Sequence, residues 1–222
     1  MKNNQMYNYL HGTNIYLYQR ADMFRINTDT FLLGKFYKIK DNDIVLDIGC
    51  NNGALLLYSL DKKSSNNKLI GVDIQKEAIE LAKENFELNK VDFELYCVDI
   101  RDFKYDKVDC IICNPPYFEY NKDTNVKQNE SLTIARFEKY CPLDELCSSF
   151  RRLIKDTGHI YMVHRANSLT RIINELTKNN LCIDTMQLVY DKDVEYAISV
   201  LLDITVGDKT ITKILKPQII QR

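Results

Sequence analysis

The segment Asn114-Pro115-Pro116-Tyr117 combines the residue types needed to grip a planar amino group. The lone pair of an adenine N6, or of an amide nitrogen, is delocalised into a π system and is a poor nucleophile. Accepting hydrogen bonds from both N–H groups favours a tetrahedral nitrogen whose lone pair points at an incoming methyl group. Asn114 offers a side-chain carbonyl for this, and Pro115 a backbone carbonyl held by a rigid ring. With Pro116 behind it the loop is stiff, so the acceptors are in place before the substrate arrives. Tyr117 offers a face for stacking, a contact worth about 1–3 kcal/mol for a nucleobase. No general base has to act first, because the amino proton becomes acidic once the nitrogen is positive and water can remove it.

Three features upstream suit a nucleoside-bearing cofactor. In Asp47-Ile48-Gly49-Cys50-Asn51-Asn52-Gly53 the small residues let the backbone turn tightly and approach a ligand. Asn51 stands where nucleotide-binding loops often have a further glycine, and Asn tolerates a positive φ better than most residues. Asp73 follows at the spacing of a carboxylate that accepts ribose hydroxyls. Asp99 is placed to accept from an adenine amino group, with Ile100 beside the ring. A dinucleotide dehydrogenase shares the first two features but has no use for the Asn-Pro-Pro-Tyr.

The elements that must position these residues are legible in the apolar pattern. Short runs at Ile44–Ile48, Lys68–Asp73, Phe93–Cys97, Val108–Cys113 and Ile160–Val163 read as buried strands. Between them lie helices from Gly53 to about Leu60, from Ile74 through Phe86, from Leu143 to Ile154 and from Leu169 to Lys178. Ile74, Ala78, Leu81, Ala82 and Phe86 form the apolar face of the second of these. Repeated strand–helix–strand units predict a mostly parallel sheet with helices on both faces. The last strands, Ile183–Tyr190 and Ala197–Ile204, are joined too briefly for anything but an antiparallel pair. The fold class is therefore α/β and Rossmann-like, a seven-stranded, mostly parallel sheet ending in an antiparallel hairpin. Ligands of such sheets bind at the carboxyl ends of the strands, where all four features fall. One domain is expected: residues 1–40 as an N-terminal elaboration, 41–206 as the core and 207–222 as a tail. Within the elaboration, Ile15–Tyr18 suggests a strand, and Thr28 or Asp29 a cap for a helix running to Phe36. Glu119–Glu130 is a long polar interruption.

Composition excludes several classes. The 222 residues are 45% hydrophobic and 27% charged, the balance of a soluble globular protein. No apolar run approaches the ~20 residues that span a bilayer, and the start lacks a signal peptide, so a cytoplasmic protein without a membrane partner is expected. The seven cysteines are scattered among aliphatic residues, as reduced thiols in a core would be. Cys110 and Cys113 form a C-x-x-C, but on a strand these two point to opposite faces, and no metal is expected. A net charge of −1 lacks the basic signature of a general nucleic-acid binder, leaving room for a local patch with strong salt sensitivity. The abundance of Lys, Asn, Ile and Tyr suggests an AT-rich bacterial genome.

Taken together, Asp47-Ile-Gly-Cys-Asn-Asn-Gly53, Gly71-Val-Asp-Ile74, Asp99 and Asn114-Pro-Pro-Tyr117 resemble class I methyltransferases of the amino-group type. Phe24-Arg-Ile-Asn-Thr-Asp-Thr-Phe-Leu-Leu33, Asn129-Glu130 through Ala135-Arg-Phe-Glu138, and Val163-His-Arg165 resemble segments of bacterial adenine-N6 methyltransferases acting on valine tRNA. The resemblance implies S-adenosylmethionine as cofactor, held by Asp47, Gly49, Asn51, Gly53, Asp73, Ile74, Asp99 and Ile100. It implies transfer to the adenosine at position 37, beside the anticodon, by Asn114, Pro115 and Tyr117, with Pro116 against the substrate. Arg25, Arg136, His164 and Arg165 are then candidates for RNA phosphates, and salt bridges are an equal use for each. The tRNA anticodon arm is the implied partner, and a monomer the expected form.

Other readings share the chemistry. A glutamine-N5 protein methyltransferase faces the same problem at a side-chain amide, but those enzymes carry a helical domain before the cofactor loop, and only about forty residues stand here. A guanine-N2 ribosomal RNA methyltransferase is a further alternative. A DNA adenine methyltransferase usually adds a target-recognition region. A nucleotide-fold binding protein without a methyl donor would have no use for Asp73, Asp99 and Asn114 together.

Overall fold

The computed structural model describes residues 5–62, 64–116, 141–208 and 210–221. Among these the central sheet has strands β3 (Ile44–Ile48), β4 (Lys68–Asp73), β5 (Glu94–Cys97), β6 (Val108–Cys113), β7 (Ile154–Arg165), β8 (Leu181–Asp191) and β9 (Ala197–Val206). They lie in the order β5-β4-β3-β6-β7-β9-β8. The first five are parallel, while β9 runs antiparallel to both β7 and β8. The expected sheet and its terminal hairpin are thus present. Two short pieces, β10 (Lys213–Ile214) and β11 (Gln218–Ile220), extend the sheet to nine strands by pairing parallel with β8. They occupy the stretch expected to be only a tail.

Both faces of the sheet are covered, and successive strand residues divide between the two sides. Ile111, Cys113, Ile160 and Met162 join one buried cluster with helices α4 (Leu143–Leu153) and α5 (Leu169–Lys178). Cys110, Ile112, Tyr161 and Val163 join the other, with α1 (Thr28–Phe36), α2 (Ala54–Leu57) and part of α3 (Lys76–Asn89). This is the period-two alternation of a strand buried on both faces. It also separates Cys110 from Cys113, as the strand reading requires. The α3 face differs at one point: Ile74 precedes the helix and is exposed, and Asn85 takes a buried place on the helix face instead.

Before the core, β1 (Gln5–Tyr9) and β2 (Tyr16–Arg20) form an antiparallel ribbon. Helix α1 begins one or two residues earlier than a Thr28 or Asp29 cap would start it, because Asn27 caps it: its Oδ1 accepts from the Thr30 N–H at 2.9 Å. Asn85, fully buried on α3, ties the ribbon to the core. Its Oδ1 accepts from Tyr18 N–H at 2.6 Å, and its Nδ2 donates to the carbonyls of Tyr18 at 3.0 Å and Asn52 at 2.9 Å. Asn85→Ala leaves three backbone groups, the part-buried Tyr18 N–H and carbonyl and the buried Asn52 carbonyl, without that partner, a loss of about 2–3 kcal/mol. The thermal midpoint should fall by about 4–12 °C; a change under 2 °C would show that the ribbon is held by other contacts.

Candidate active site

Strands β3, β4, β5 and β6 end together. Ile48 lies beside Val72 and Cys113, and Asp73 beside Cys97. The loops that follow therefore open on one edge of the sheet and frame a single cleft. Gly49, Asn51, Asp73, Ile74, Asp99, Ile100, Asn114, Pro115 and Pro116 all line it. Asp47 and Gly53 do not line it themselves but adjoin lining residues, inside β3 next to Ile48 and at the cap of α2.

The loop after β3 is built by alternating positive φ angles, 73° at Gly49, 47° at Asn51 and 78° at Gly53. Asn51 adopts the left-handed conformation that its residue type allows. Gly49 and Cys50 donate to the Val72 carbonyl at 2.8 and 3.0 Å, pinning the loop over β4. Gly53 has a second constraint: a Cβ there would meet the Phe86 ring at 2.9 Å. The Asn51 side chain donates to the Phe24 carbonyl at 2.8 Å, which brings Phe24, Ile26 and Thr30 to the cleft as a further wall.

Two carboxylates lie beneath this loop. Asp73 is buried, and its two oxygens accept from the N–H groups of Asn51 and Gln75, each at 2.9 Å. Burial pushes its pKa up, and those backbone N–H groups hold it back. Asp47 is fully buried, and neither oxygen has a hydrogen-bond partner. Its pKa stands well above the carboxylate range because of burial and then the nearby Asp73 charge. A buried carboxylate of this kind is a place for a cation, such as an amino-acid ammonium group. Asn51 Oδ1, Gln75 Oε1 and Asn114 Oδ1 are likewise buried acceptors without partners. Asp99 differs: Arg101 grips both its oxygens and lowers its pKa.

Asn114 follows β6 directly, its Oδ1 buried beside Pro115 and Pro116 at the cleft. Tyr117, Arg136, the Asn129–Glu138 stretch and the polar Glu119–Glu130 segment lie outside the described residues. Of the other proposed RNA contacts, Arg25 is exposed next to the cleft residues Phe24 and Ile26. Arg165 is half-buried at the end of β7. His164 is only 4% exposed, and its Nδ1 accepts from the Arg165 N–H at 2.9 Å. Side chains buried this deeply do not present themselves to a phosphate, which corrects the reading of His164 as a surface contact. Gln75, Cys141, Leu146 and Arg101 went unread in the sequence. Each owes its place to a turn or to packing between distant segments, which no local spacing announces.

Among the described residues no helix is long and apolar enough to cross a membrane. Nor, among the described residues, is any group of three or more His, Cys, Asp or Glu side chains placed to hold a metal.

A family profile described as a methyltransferase domain matches residues 39–216. A tRNA1(Val) (adenine(37)-N6)-methyltransferase of Flavobacterium psychrophilum is 31% identical over 151 residues, 65% of this chain and 63% of that protein. One from Aliivibrio salmonicida is 31% identical over 136 residues, 60% of this chain and 56% of that protein. The chain thus spans less than two thirds of the length of these curated relatives. Among solved structures, the M. jannaschii tRNA m1G37 methyltransferase superposes with a TM-score of 0.64 at 18% identity, over 94% of this chain and 56% of that one. The ribosomal protein L11 methylase of Lactobacillus delbrueckii subsp. bulgaricus gives 0.61 at 17%, over 85% and 84%. These structural likenesses establish the fold as that of class I methyltransferases.

Proposed function

The chain belongs to the methyltransferase-domain family, and we propose that it transfers the methyl group of S-adenosylmethionine to N6 of an adenosine in tRNA, the one at position 37 of valine tRNA. The observation that carries this is the Asn114 carbonyl oxygen, buried at the cleft with no partner and followed by two prolines. The named relatives act on that nucleoside, and this chain has the acceptors for its amino group.

When bound, S-adenosylmethionine supplies a methyl group on a positively charged sulfur. In this reading Asp47 faces the ammonium end of the donor, Asp73 the ribose hydroxyls and Asp99 the adenine amino group. Gly49, Asn51 and Gly53 shape the backbone around it, and Ile74 and Ile100 pack on the adenine ring. Asn114 Oδ1 and the Pro115 carbonyl each accept one N6–H of the target base. Their joint pull concentrates the nitrogen lone pair along the one remaining direction. Pro116 and Tyr117 hold the base, which must leave its stack to enter the cleft. After transfer the nitrogen carries positive charge, and its proton passes to water. Arg25, Arg165 and Arg136 remain candidates for the phosphates of the anticodon arm. A monomer acting in the cytoplasm completes the proposal.

The test is transfer from methyl-labelled donor to total tRNA that lacks the modification, followed by nucleoside mapping. Label should appear as N6-methyladenosine at position 37. Label at a different nucleoside, or only in a release factor offered in parallel, would defeat the proposal.

A further inference from the structure

Arg101 follows the Asp99-Ile100 pair and reaches back over it. Asp99 Oδ1 accepts from both the Arg101 N–H at 3.0 Å and the Arg101 Nε at 2.9 Å. Among the described residues Asp99 Oδ2 accepts only from Nη2, at 2.6 Å. The other guanidinium nitrogen, Nη1, donates to Glu145 Oε2 of α4 at 2.9 Å. One arginine thereby joins the loop after β5 to the helix that carries Leu146 into the same cleft. A carboxylate oxygen has room for about two donors. Oδ1 is filled, whereas Oδ2 keeps one acceptor direction.

We propose that Arg101 is a positioning residue that sets which oxygen of Asp99 meets the donor's adenine, so that the cleft selects a purine bearing a 6-amino group. The inference rests on the donor reading above and assigns its adenine specificity to a residue outside the motif. A planar guanidinium is suited to this, because its fork fixes carboxylate orientation where an ammonium would supply only a point charge. Glu145 keeps the fork from swinging out into solvent. The backbone below is also held: Arg152 donates to the carbonyls of Ile100 at 2.8 Å and Phe103 at 2.5 Å. Among the described residues the charged group bonded to the Asp99 carboxylate is Arg101 on its own loop, while Glu145 and Arg152 of α4 hold Arg101 and the loop backbone. Arg101 holds the Asp99 carboxyl below the usual carboxylate range, so the acceptor stays ionised in mild acid.

The experiment is calorimetry of the full chain with two probes. One is S-adenosylhomocysteine; the other is its analogue with hydrogen in place of the 6-amino group. A hydrogen bond to a charged acceptor should make wild type prefer the first by about 10–100-fold. In Arg101→Met the preference should shrink to about threefold, with affinity for the deamino analogue changed less than about twofold. Arg101→Lys should fall between, and Glu145→Gln should retain most of the preference. The weakening of S-adenosylhomocysteine binding in acid should also begin at higher pH in Arg101→Met. Equal loss of both probes would make Arg101 merely structural, and an unchanged preference would remove it from recognition; either overturns the inference alone. If wild type binds neither probe, the donor reading itself fails.

Discussion

Asn114→Ala should lower methyl transfer to tRNA by about 10³-fold, while affinity for S-adenosylhomocysteine stays within about threefold of wild type. The asymmetry follows from where the side chain is and what it does not do. Its carbonyl oxygen is buried at the cleft but accepts no hydrogen bond in the protein, so its loss leaves no fold contact of that oxygen broken. What goes missing in the proposed reaction is an acceptor whose interaction strengthens as the amino nitrogen gains positive charge, and that loss should appear in the rate. Asn114→Asp keeps an acceptor and should recover part of the activity. Equal losses of transfer and donor binding in Asn114→Ala would instead make Asn114 a structural residue.

Asp47→Asn should make the ligand-free protein more stable and the donor-bound protein less so. The wild-type carboxylate is wholly buried with neither oxygen paired. An unmet group of this kind costs about 1–3 kcal/mol, and a chain of this size shifts by about 2–4 °C per kcal/mol. A rise of several degrees in the thermal midpoint at pH 7 is therefore expected. The direction of the Asp47 shift fixes the pH dependence. A carboxyl whose folded pKa is raised contributes stability that is full below its unfolded value and is lost as pH rises through the folded value. The gap between Asp47→Asn and wild type should accordingly widen from acid to neutral pH. In the proposed donor site saturating S-adenosylhomocysteine would bring an ammonium to Asp47, which should narrow or reverse the gap. A midpoint that falls at pH 7 would show that Asp47 has a partner in the free protein.

The parts of the fold that could be read in advance are those dictated by local pattern. Strands β3, β4 and β6 carry their boundaries in runs of apolar residues, because each is buried along most of its length, whereas helix α5 shows itself by the helical spacing of Leu169, Ile172 and Leu176 on an otherwise polar segment. Strand β7 extends well before Ile160 because Val108 and Cys110 pair with Ile154 and His159, leaving polar residues between them as an irregularity in the ladder. A polar stretch of that kind has no alternation to detect. The β1 strand was invisible for a related reason: its residues are largely exposed, and it exists because β2 offers it an edge. The same division holds in the cleft. Asp47, Asp73, Asp99 and Asn114 could be found because they sit at fixed offsets from strand ends. Gln75 has no such signal, and Arg101 depends on a helix far along the chain. Deep burial of His164 is equally a matter of tertiary packing.

The two short strands beyond β9 bear on how the molecule keeps its own company. Strand β8 is long, and β9 occupies only one of its sides. An unpaired row of backbone groups on the other would be a template for another chain. Here β10 and β11 close that side in two fragments, with Pro217 between them. Each fragment is short, and the proline between them has no N–H to donate, so neither passes a continuous template outward. At the opposite end, β5 is brief and begins with Glu94, which pairs with Lys68. Among the described residues the sheet thus ends in short strands in both directions, an arrangement that limits edge-to-edge pairing with another chain.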